Sequence, residues 1–196
     1  MEKRHKIFIA INLPAEIKKE LGFYAEKYAE LPAKWVNKEG LHITFVFLGD
    51  LTDVELADAC EAVKKIAEIH KSFNIVLNKV AYGPPLRSGS GQAKMSPRFV
   101  WATGEKSEEL SDLKNDLEEL LLEKISFRPE GRGFTPHITL ARISEWEFRK
   151  IEPEERPEVD EHIDLTFSVE SIEVMESELT RLGPRYNIIE SHNLKE

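Results

Sequence analysis

The pattern His-apolar-Thr-apolar occurs twice in this chain, as HITF at residues 42–45 and as HITL at residues 137–140. Along a β-strand, residues i and i+2 point to one face, whereas residue i+1 points to the other. Each pattern therefore predicts a strand whose His and Thr share one face while its two apolar side chains pack inward. Two such strands lying side by side would present two imidazoles and two hydroxyls to one site.

Two facing histidines, His42 and His137, point to acid–base chemistry. The imidazole pKa of about 6.5 lets a histidine donate or accept a proton near neutral pH. A pair supplies one acid and one base, as phosphoryl transfer requires. A metal site is not expected, because each His-x-Thr strand offers one good ligand, whereas zinc needs three or four from Cys, His, Asp and Glu. We therefore expect no metal and no cofactor.

The overall composition favours a globular chain with local contacts to its ligand. Its 196 residues are enough for a hydrophobic core, and the sequence has no apolar run close to the roughly 20 residues of a membrane-spanning helix. Its net charge of −9 argues against a broad groove for duplex nucleic acid. We expect a cytoplasmic monomer with no membrane partner, and any nucleic-acid contact at an end or a short single strand.

Periodicity predicts alternating strands and helices, which indicates an α+β fold. Thr52 with Glu55 predicts a capping box that opens a helix running to about Ile69. Two further helices follow from apolar stripes, one at Ile17, Leu21, Tyr24 and Tyr28, the other at Leu110, Leu113, Leu117, Leu120 and Leu121. Besides the motif strands, strands are predicted at 6–12, 73–81, 98–103, 163–176 and 185–191, with a loop at 83–97 and a charged surface excursion at 150–162.

Several other residues receive a structural rather than a functional interpretation. Cys60 is predicted to be a small buried residue. The remaining histidines are predicted to lie on the surface without partners, namely His5, His70, His162 and His192. Three aromatic residues could stack on a base, but packing in the hydrophobic core is the preferred interpretation. They are Trp35, Phe47 and Tyr186. Arg128 and Arg132 are assigned to a solvated loop.

Five blocks of the chain, in this order and spacing, resemble the 2H phosphoesterases. Within them, the blocks resemble the RNA 2′,3′-cyclic phosphodiesterase group, also called 2′-5′ RNA ligases. The blocks are IFIAINLP, KWVNKEGLHITFVFLGD, PRFVWAT, FTPHITLAR and SELTRLGPRYNII. The resemblance implies a single bilobal α+β domain over residues 1–196. Its two pseudo-symmetric lobes of antiparallel sheet and helices would enclose a central cleft.

The resemblance also implies a reaction, the hydrolysis of RNA 2′,3′-cyclic phosphates to 2′-phosphomonoesters. His42 would donate a proton to the leaving 3′ oxygen, and His137 would activate water. Thr44 and Thr139 would donate hydrogen bonds to the phosphate oxygens. Arg142 matches a substrate-binding arginine of the family. Strict alternation places Arg142 on the buried face of its strand, so this role requires either a bend or the end of the strand there.

Two alternative functions remain open at this stage. The same histidines would serve the reverse reaction, the joining of RNA through a 2′-5′ bond. A non-catalytic module that binds RNA ends or nucleotides would keep the cleft without the chemistry, although both histidines and both threonines are intact. In each case the expected partners are RNA ends or short oligonucleotides, carrying a 2′,3′-cyclic phosphate in the preferred interpretation.

Overall fold

A computed structural model describes residues 3–84, 96–129, 134–181 and 183–196. Most of the predicted loop at 83–97, together with Arg132, lies outside the described residues. The strands are β1 His5–Asn12, β2 Ala33–Trp35, β3 His42–Leu51, β4 Phe73–Gly83, β5 Phe99–Gly104, β6 His137–Ile143, β7 Asp160–Val169, β8 Ser171–Thr180 and β9 Gly183–Asn193. The helices are α1 Ala15–Gly22, α2 Tyr24–Lys27, α3 Asp53–Ala67, α4 Glu108–Leu122 and α5 Glu145–Lys150, with 3₁₀ turns at Lys38–Gly40 and Pro153–Glu155.

The strands of the described residues form one nine-stranded sheet in the order β7-β4-β5-β6-β3-β1-β8-β9, with β2 paired to β6. The two motif strands, β3 and β6, meet in the middle of this sheet through the antiparallel pair Ile43 and Ile138. On each side of that joint lie a motif strand and three further strands of the main path. The predicted α+β fold with two lobes is confirmed. The lobes interleave along the chain, because the C-terminal strands β8 and β9 extend the lobe of β1 and β3.

The two long helices form where the sequence predicted them, whereas the predicted first helix is divided into α1 and α2, and α5 was not predicted. Thr52 Oγ1 accepts a hydrogen bond from the Glu55 backbone, and Glu55 Oε2 accepts one from the Thr52 backbone at 2.8 Å, which confirms the capping box of α3. Helix α4 packs against α3, and its inward stripe is fully buried at Leu110, Leu113, Leu117 and Leu121. Cys60 is buried, as predicted. Within the described ranges, no helix is long and apolar enough to cross a membrane.

The predicted surface excursion at 150–162 is partly wrong. Helix α5 precedes it, and strand β7 already begins at Asp160. Glu161, at the start of β7, accepts hydrogen bonds from the Tyr28 hydroxyl and from Lys27 Nζ. Because these partners come from the end of α2 and the residue after it, the sequence of the excursion alone does not reveal that its last residues are held in the sheet.

The prediction that four histidines lack partners is wrong for three of them. His5 is buried, with Nδ1 2.7 Å from Glu176 Oε1 and Nε2 2.9 Å from Asp53 Oδ1. His70 bonds Asp116 and His192 bonds Glu190, each at 2.9 Å. His162 is exposed on β7, as predicted.

His5 makes the stability of the fold depend on pH. The hydrogen bond to Glu176 raises the pKa of His5 above its ordinary value of 6.5, and the hydrogen bond to Asp53 is the second cause of this increase. A raised folded-state pKa adds stability that is fully present below the unfolded-state pKa and is lost as pH rises through the folded-state pKa. We therefore expect His5→Gln to lower the free energy of unfolding more at about pH 5.5 than at about pH 8.5.

Urea denaturation at both pH values tests this expectation. His162→Gln is the matched control, since His162 is exposed, and it should leave the stability nearly unchanged at both. A loss of stability in His5→Gln that is equal at the two pH values would contradict the assignment.

Candidate active site

Both motif strands place their apolar residues inward, as predicted. Ile43 and Ile138 are 0% exposed, and Phe45 and Leu140 are also buried. These side chains belong to the main hydrophobic core. The opposite face of the two strands is therefore left for the polar residues of the motifs.

The structure brings the four polar residues of the motifs together. In an antiparallel pair, one step back along one strand matches one step forward along the other. Because Ile43 pairs with Ile138, His42 lies beside Thr139 and Thr44 lies beside His137. All four side chains are partly buried. Two imidazoles and two hydroxyls thus share one face of the sheet at the joint between the lobes.

Each motif histidine is held by a backbone carbonyl two residues before it. His42 Nδ1 lies 2.7 Å from the Gly40 carbonyl oxygen, and His137 Nδ1 lies 3.1 Å from the Thr135 carbonyl oxygen. A carbonyl only accepts hydrogen bonds, so Nδ1 carries the proton in both rings. In both residues Nε2 is consequently the nitrogen left to accept or donate the proton that reacts.

The surroundings of His42 favour its neutral form. Burial lowers the pKa of His42, and the positive charges of Lys18 and His137 lower it further, while the Gly40 carbonyl acts in the opposite direction. Lys18 is itself buried, and its Nζ donates to the Glu39 carbonyl at 2.9 Å. An anion placed between the two rings would offset these effects, because a nearby negative charge favours the protonated imidazole.

A β-bulge brings Arg142 to the same face as the motif residues. Val100 pairs with Ala141, but the next residue of β5, Trp101, pairs with Thr139, which leaves Leu140 as an extra residue of β6. An extra residue resets the alternation of the strand. Arg142 is therefore exposed on the face of Thr139 instead of being buried. The bend that a role for Arg142 requires is present in the strand.

The same bulge occurs in β3, where Phe45 is the extra residue between the pairs Ile9–Val46 and Ala10–Thr44. Five residues after its histidine, each motif strand thus exposes one side chain, Phe47 in β3 and Arg142 in β6. Phe47 is 61% exposed. Its assignment to the core was wrong, because strict alternation does not foresee the bulge.

The remaining residues set aside in the sequence analysis behave as follows. Trp35 is partly buried and packs against the main core, as predicted. Arg128 is exposed, in agreement with its assignment to a solvated loop. Among the residues that the structure describes, no three His, Cys, Asp or Glu side chains are grouped so as to hold a metal ion.

Sequence reasoning missed the aromatic rings that flank the two histidines. The Phe8 ring lies 5.0 Å from that of His42, between centroids, and the Trp101 ring lies 4.2 Å from that of His137. Tyr186 belongs to a second, small hydrophobic cluster with Phe8. These residues lie far from the motifs in sequence, so only the strand pairing, which one sequence does not give, reveals them.

The sequence of this chain is similar to those of known proteins. The sequence model of the 2′-5′ RNA ligase superfamily matches residues 14–181. An RNA 2′,3′-cyclic phosphodiesterase of Thermotoga maritima is 28% identical, over 94% of this chain and 92% of its own. Another, of Geobacillus stearothermophilus, is 32% identical over 71% of this chain, and the match spans 42% of that relative's length.

Two solved structures show the same fold. A Thermus thermophilus protein has a TM-score of 0.78 and 28% identity, covering 96% of this chain and 97% of its own. Escherichia coli LigT complexed with 3′-AMP has a TM-score of 0.74 and 24% identity, covering 99% of this chain and 100% of its own. At that identity the LigT structure supports the fold alone.

The environment of His42 leads to a prediction about its titration in the ligand-free protein. We expect its pKa to lie below 6.5, and His137→Gln to raise it, because one repelling positive charge is removed while burial remains. NMR titration of the imidazole signals measures both values. His162→Gln is the control and should leave His42 unchanged. A His42 pKa above 6.5, or a His42 pKa that is lower in His137→Gln than in the unmodified protein, would refute this description of the site.

Proposed function

Because the chain belongs to the 2′-5′ RNA ligase superfamily, we propose that it hydrolyses RNA 2′,3′-cyclic phosphate ends to 2′-phosphomonoesters without a metal ion. Its relatives are named RNA 2′,3′-cyclic phosphodiesterase, and this is the enzyme class of the chain. The observation that carries the proposal is the pair of histidines beside two threonines at the joint between the lobes, each with Nδ1 bound to a carbonyl.

The proposed reaction is an in-line displacement at phosphorus. His137 Nε2 accepts a proton from a water molecule while the oxygen of that water forms a bond to phosphorus. His42 Nε2 donates a proton to the 3′ oxygen as its bond to phosphorus breaks. The products are a 2′-phosphate and a free 3′ hydroxyl. A base on one side of phosphorus and an acid on the other satisfy the proton requirements of such a displacement.

The other polar residues of the face would bind the phosphate. Thr44 and Thr139 each carry a hydroxyl that donates a hydrogen bond to a non-bridging oxygen. Arg142, turned to this face by its bulge, adds a positive charge near the developing negative charge. Fixed donors and charges aimed at the transition state commonly contribute the largest share of catalysis.

Substrate binding would also prepare His42 to act as the acid. In the free protein, burial and neighbouring positive charges keep the pKa of His42 low. The negative charge of a bound cyclic phosphate raises that pKa, because it stabilises the imidazolium. The donor would thus gain its proton when the substrate is present.

We expect replacement of either histidine to abolish most of the activity. His42→Ala and His137→Ala should each lower kcat on a 2′,3′-cyclic RNA end by about two orders of magnitude or more. The kcat of the double variant should be little lower than that of either single variant, because the effects of removing groups that act in one transition state are not additive. Steady-state kinetics with a short cyclic-ended RNA, in EDTA, measures these values.

His162→Ala is the matched control for these variants, since His162 is exposed on β7 in the second lobe; it should keep normal activity. Circular dichroism should show that all the variants are folded. Near-normal turnover by His137→Ala would remove the proposed base and with it the mechanism.

A second prediction concerns the size of the substrate. With a net charge of −9, binding should depend on a few contacts at the terminal phosphate, so a cyclic-ended dinucleotide should reach nearly the kcat of a longer RNA. Arg142→Ala should lower kcat/KM on both substrates by a similar factor without changing which bond is cut.

Arg149→Ala removes an equal charge from α5, where the side chain bonds Glu145 and Ser96, and should have little effect on either substrate. An Arg142→Ala defect confined to the longer RNA would show that Arg142 contacts the RNA away from its end instead of the reacting phosphate.

A further inference from the structure

We propose that Tyr186, on the C-terminal strand β9, is the positioning residue of His42: its ring holds the imidazole against the Gly40 backbone so that Nε2 faces the substrate. The proposal rests on the proposed function for its effect on catalysis. It also makes a claim about His42 in the ligand-free protein that does not depend on that function.

Tyr186 contacts both the His42 ring and Gly40, whose carbonyl binds that ring. Its ring stands edge-on to the His42 ring, with centroids 4.8 Å apart and an interplanar angle of 76°. The same ring flanks Gly40, where an added Cβ would lie 3.4 Å from Tyr186 Cδ2. Gly40 supplies the carbonyl that accepts the Nδ1 proton of His42. Tyr186 therefore packs on the donor and on the acceptor of the hydrogen bond that orients the imidazole.

Phe8 completes the enclosure of His42. It lies 5.0 Å from the His42 ring and 5.5 Å from the Tyr186 ring, between centroids. Edge-to-face and tilted ring pairs at such distances are favourable and directional. With Phe8 in β1 and Tyr186 in β9, the imidazole is held by two elements in addition to its own strand, so its rotation is restricted.

The other lobe contains a corresponding arrangement. The Trp101 ring lies 4.2 Å from the His137 ring, and it covers Gly83 so closely that an added Cβ would come within 2.2 Å of Trp101 Cδ2. Trp101 Nε1 is buried and has no hydrogen-bond partner among the described residues. Packing rather than hydrogen bonding therefore holds this ring. In both lobes an aromatic ring that lies on a glycine supports the motif histidine.

The removal of Tyr186 has a predictable electrostatic effect. Burial is the main reason that the pKa of His42 is low, and Tyr186 provides part of that burial. The charged groups that act on His42 are Lys18 from α1 and His137 from β6, and both remain in a Tyr186 variant. Exposure of the imidazole to water should therefore raise its pKa towards 6.5 while these repulsions persist.

The test compares four variants, namely Tyr186→Ala, Tyr186→Leu, Tyr186→Phe and Tyr82→Ala. Tyr186→Ala should raise the pKa of His42, measured by NMR, and should lower kcat on the cyclic substrate by roughly ten- to a hundredfold with a smaller change in KM, since the acid is misplaced. Tyr186→Phe keeps the ring and should match the unmodified protein in both measurements. Tyr186→Leu, which retains apolar bulk, should shift both in the direction of Tyr186→Ala and replaces that variant if it does not fold.

Tyr82 is the matched control because it is also partly buried and edge-on to an aromatic ring, that of Phe148 at 5.9 Å. Tyr82→Ala should reduce stability but leave the pKa of His42 and kcat unchanged. The proposal would be overturned if Tyr82→Ala changed the pKa of His42 and kcat as much as Tyr186→Ala does. It would also be overturned if the pKa of His42 were unchanged in Tyr186→Ala. A Tyr186→Phe variant as defective as Tyr186→Ala would overturn it too, since the hydroxyl would then be responsible. If the unmodified protein does not hydrolyse the cyclic substrate, the proposed function fails, whereas the NMR comparison still decides the role of Tyr186.

Discussion

The pairing of β3 with β6 is the interaction on which the rest of the structure depends. The two four-stranded groups of the sheet meet at the pair Ile43–Ile138, and both side chains are completely buried. Burial of an isoleucine side chain contributes about 1.5–3 kcal/mol, so the hydrophobic core itself holds the two motifs in register. The site exists because the residues on either side of these isoleucines must point away from the core.

The two lobes are alike in backbone and different in chemistry. Each motif strand has a bulge three residues after its histidine, and each histidine is held by the carbonyl two residues before it. The exposed residue after the bulge is aromatic in one strand, at Phe47, and cationic in the other, at Arg142. An acid and a base must differ in proton affinity during one reaction. Burial and nearby positive charges lower the pKa of His42, so its surroundings alter its proton affinity.

The sequence was sufficient to predict what depends on local pattern. The alternation in the two motifs placed His42 and His137 on a polar face, and the Thr52–Glu55 capping box marked the start of α3. What the sequence could not supply was register. The carboxylates around His5 come from α3 and from β8, which lies 171 residues away along the chain, and no pattern near His5 indicates either of them.

The bulges escaped prediction for a different physical reason. Two consecutive buried residues, such as Leu140 and Ala141, fit the apolar composition of a strand without marking which of them is the extra one. Both the orientation of Arg142 and the exposure of Phe47 follow from that extra residue. The rings of Trp101 and Tyr186 beside the histidines likewise depend on which strands pair, and in one sequence they have the same appearance as core aromatics.

The central claim is that two histidines suffice to open a 2′,3′-cyclic phosphate by the addition of water. The most direct measurement is hydrolysis of a cyclic-ended dinucleotide in ¹⁸O-labelled water containing EDTA, with the product analysed by ³¹P NMR and mass spectrometry. The account predicts a 2′-phosphomonoester with a single ¹⁸O atom on phosphorus, formed at the same rate with or without the chelator. A 3′-phosphate product, or a reaction that stops in EDTA and resumes with added metal, would contradict it.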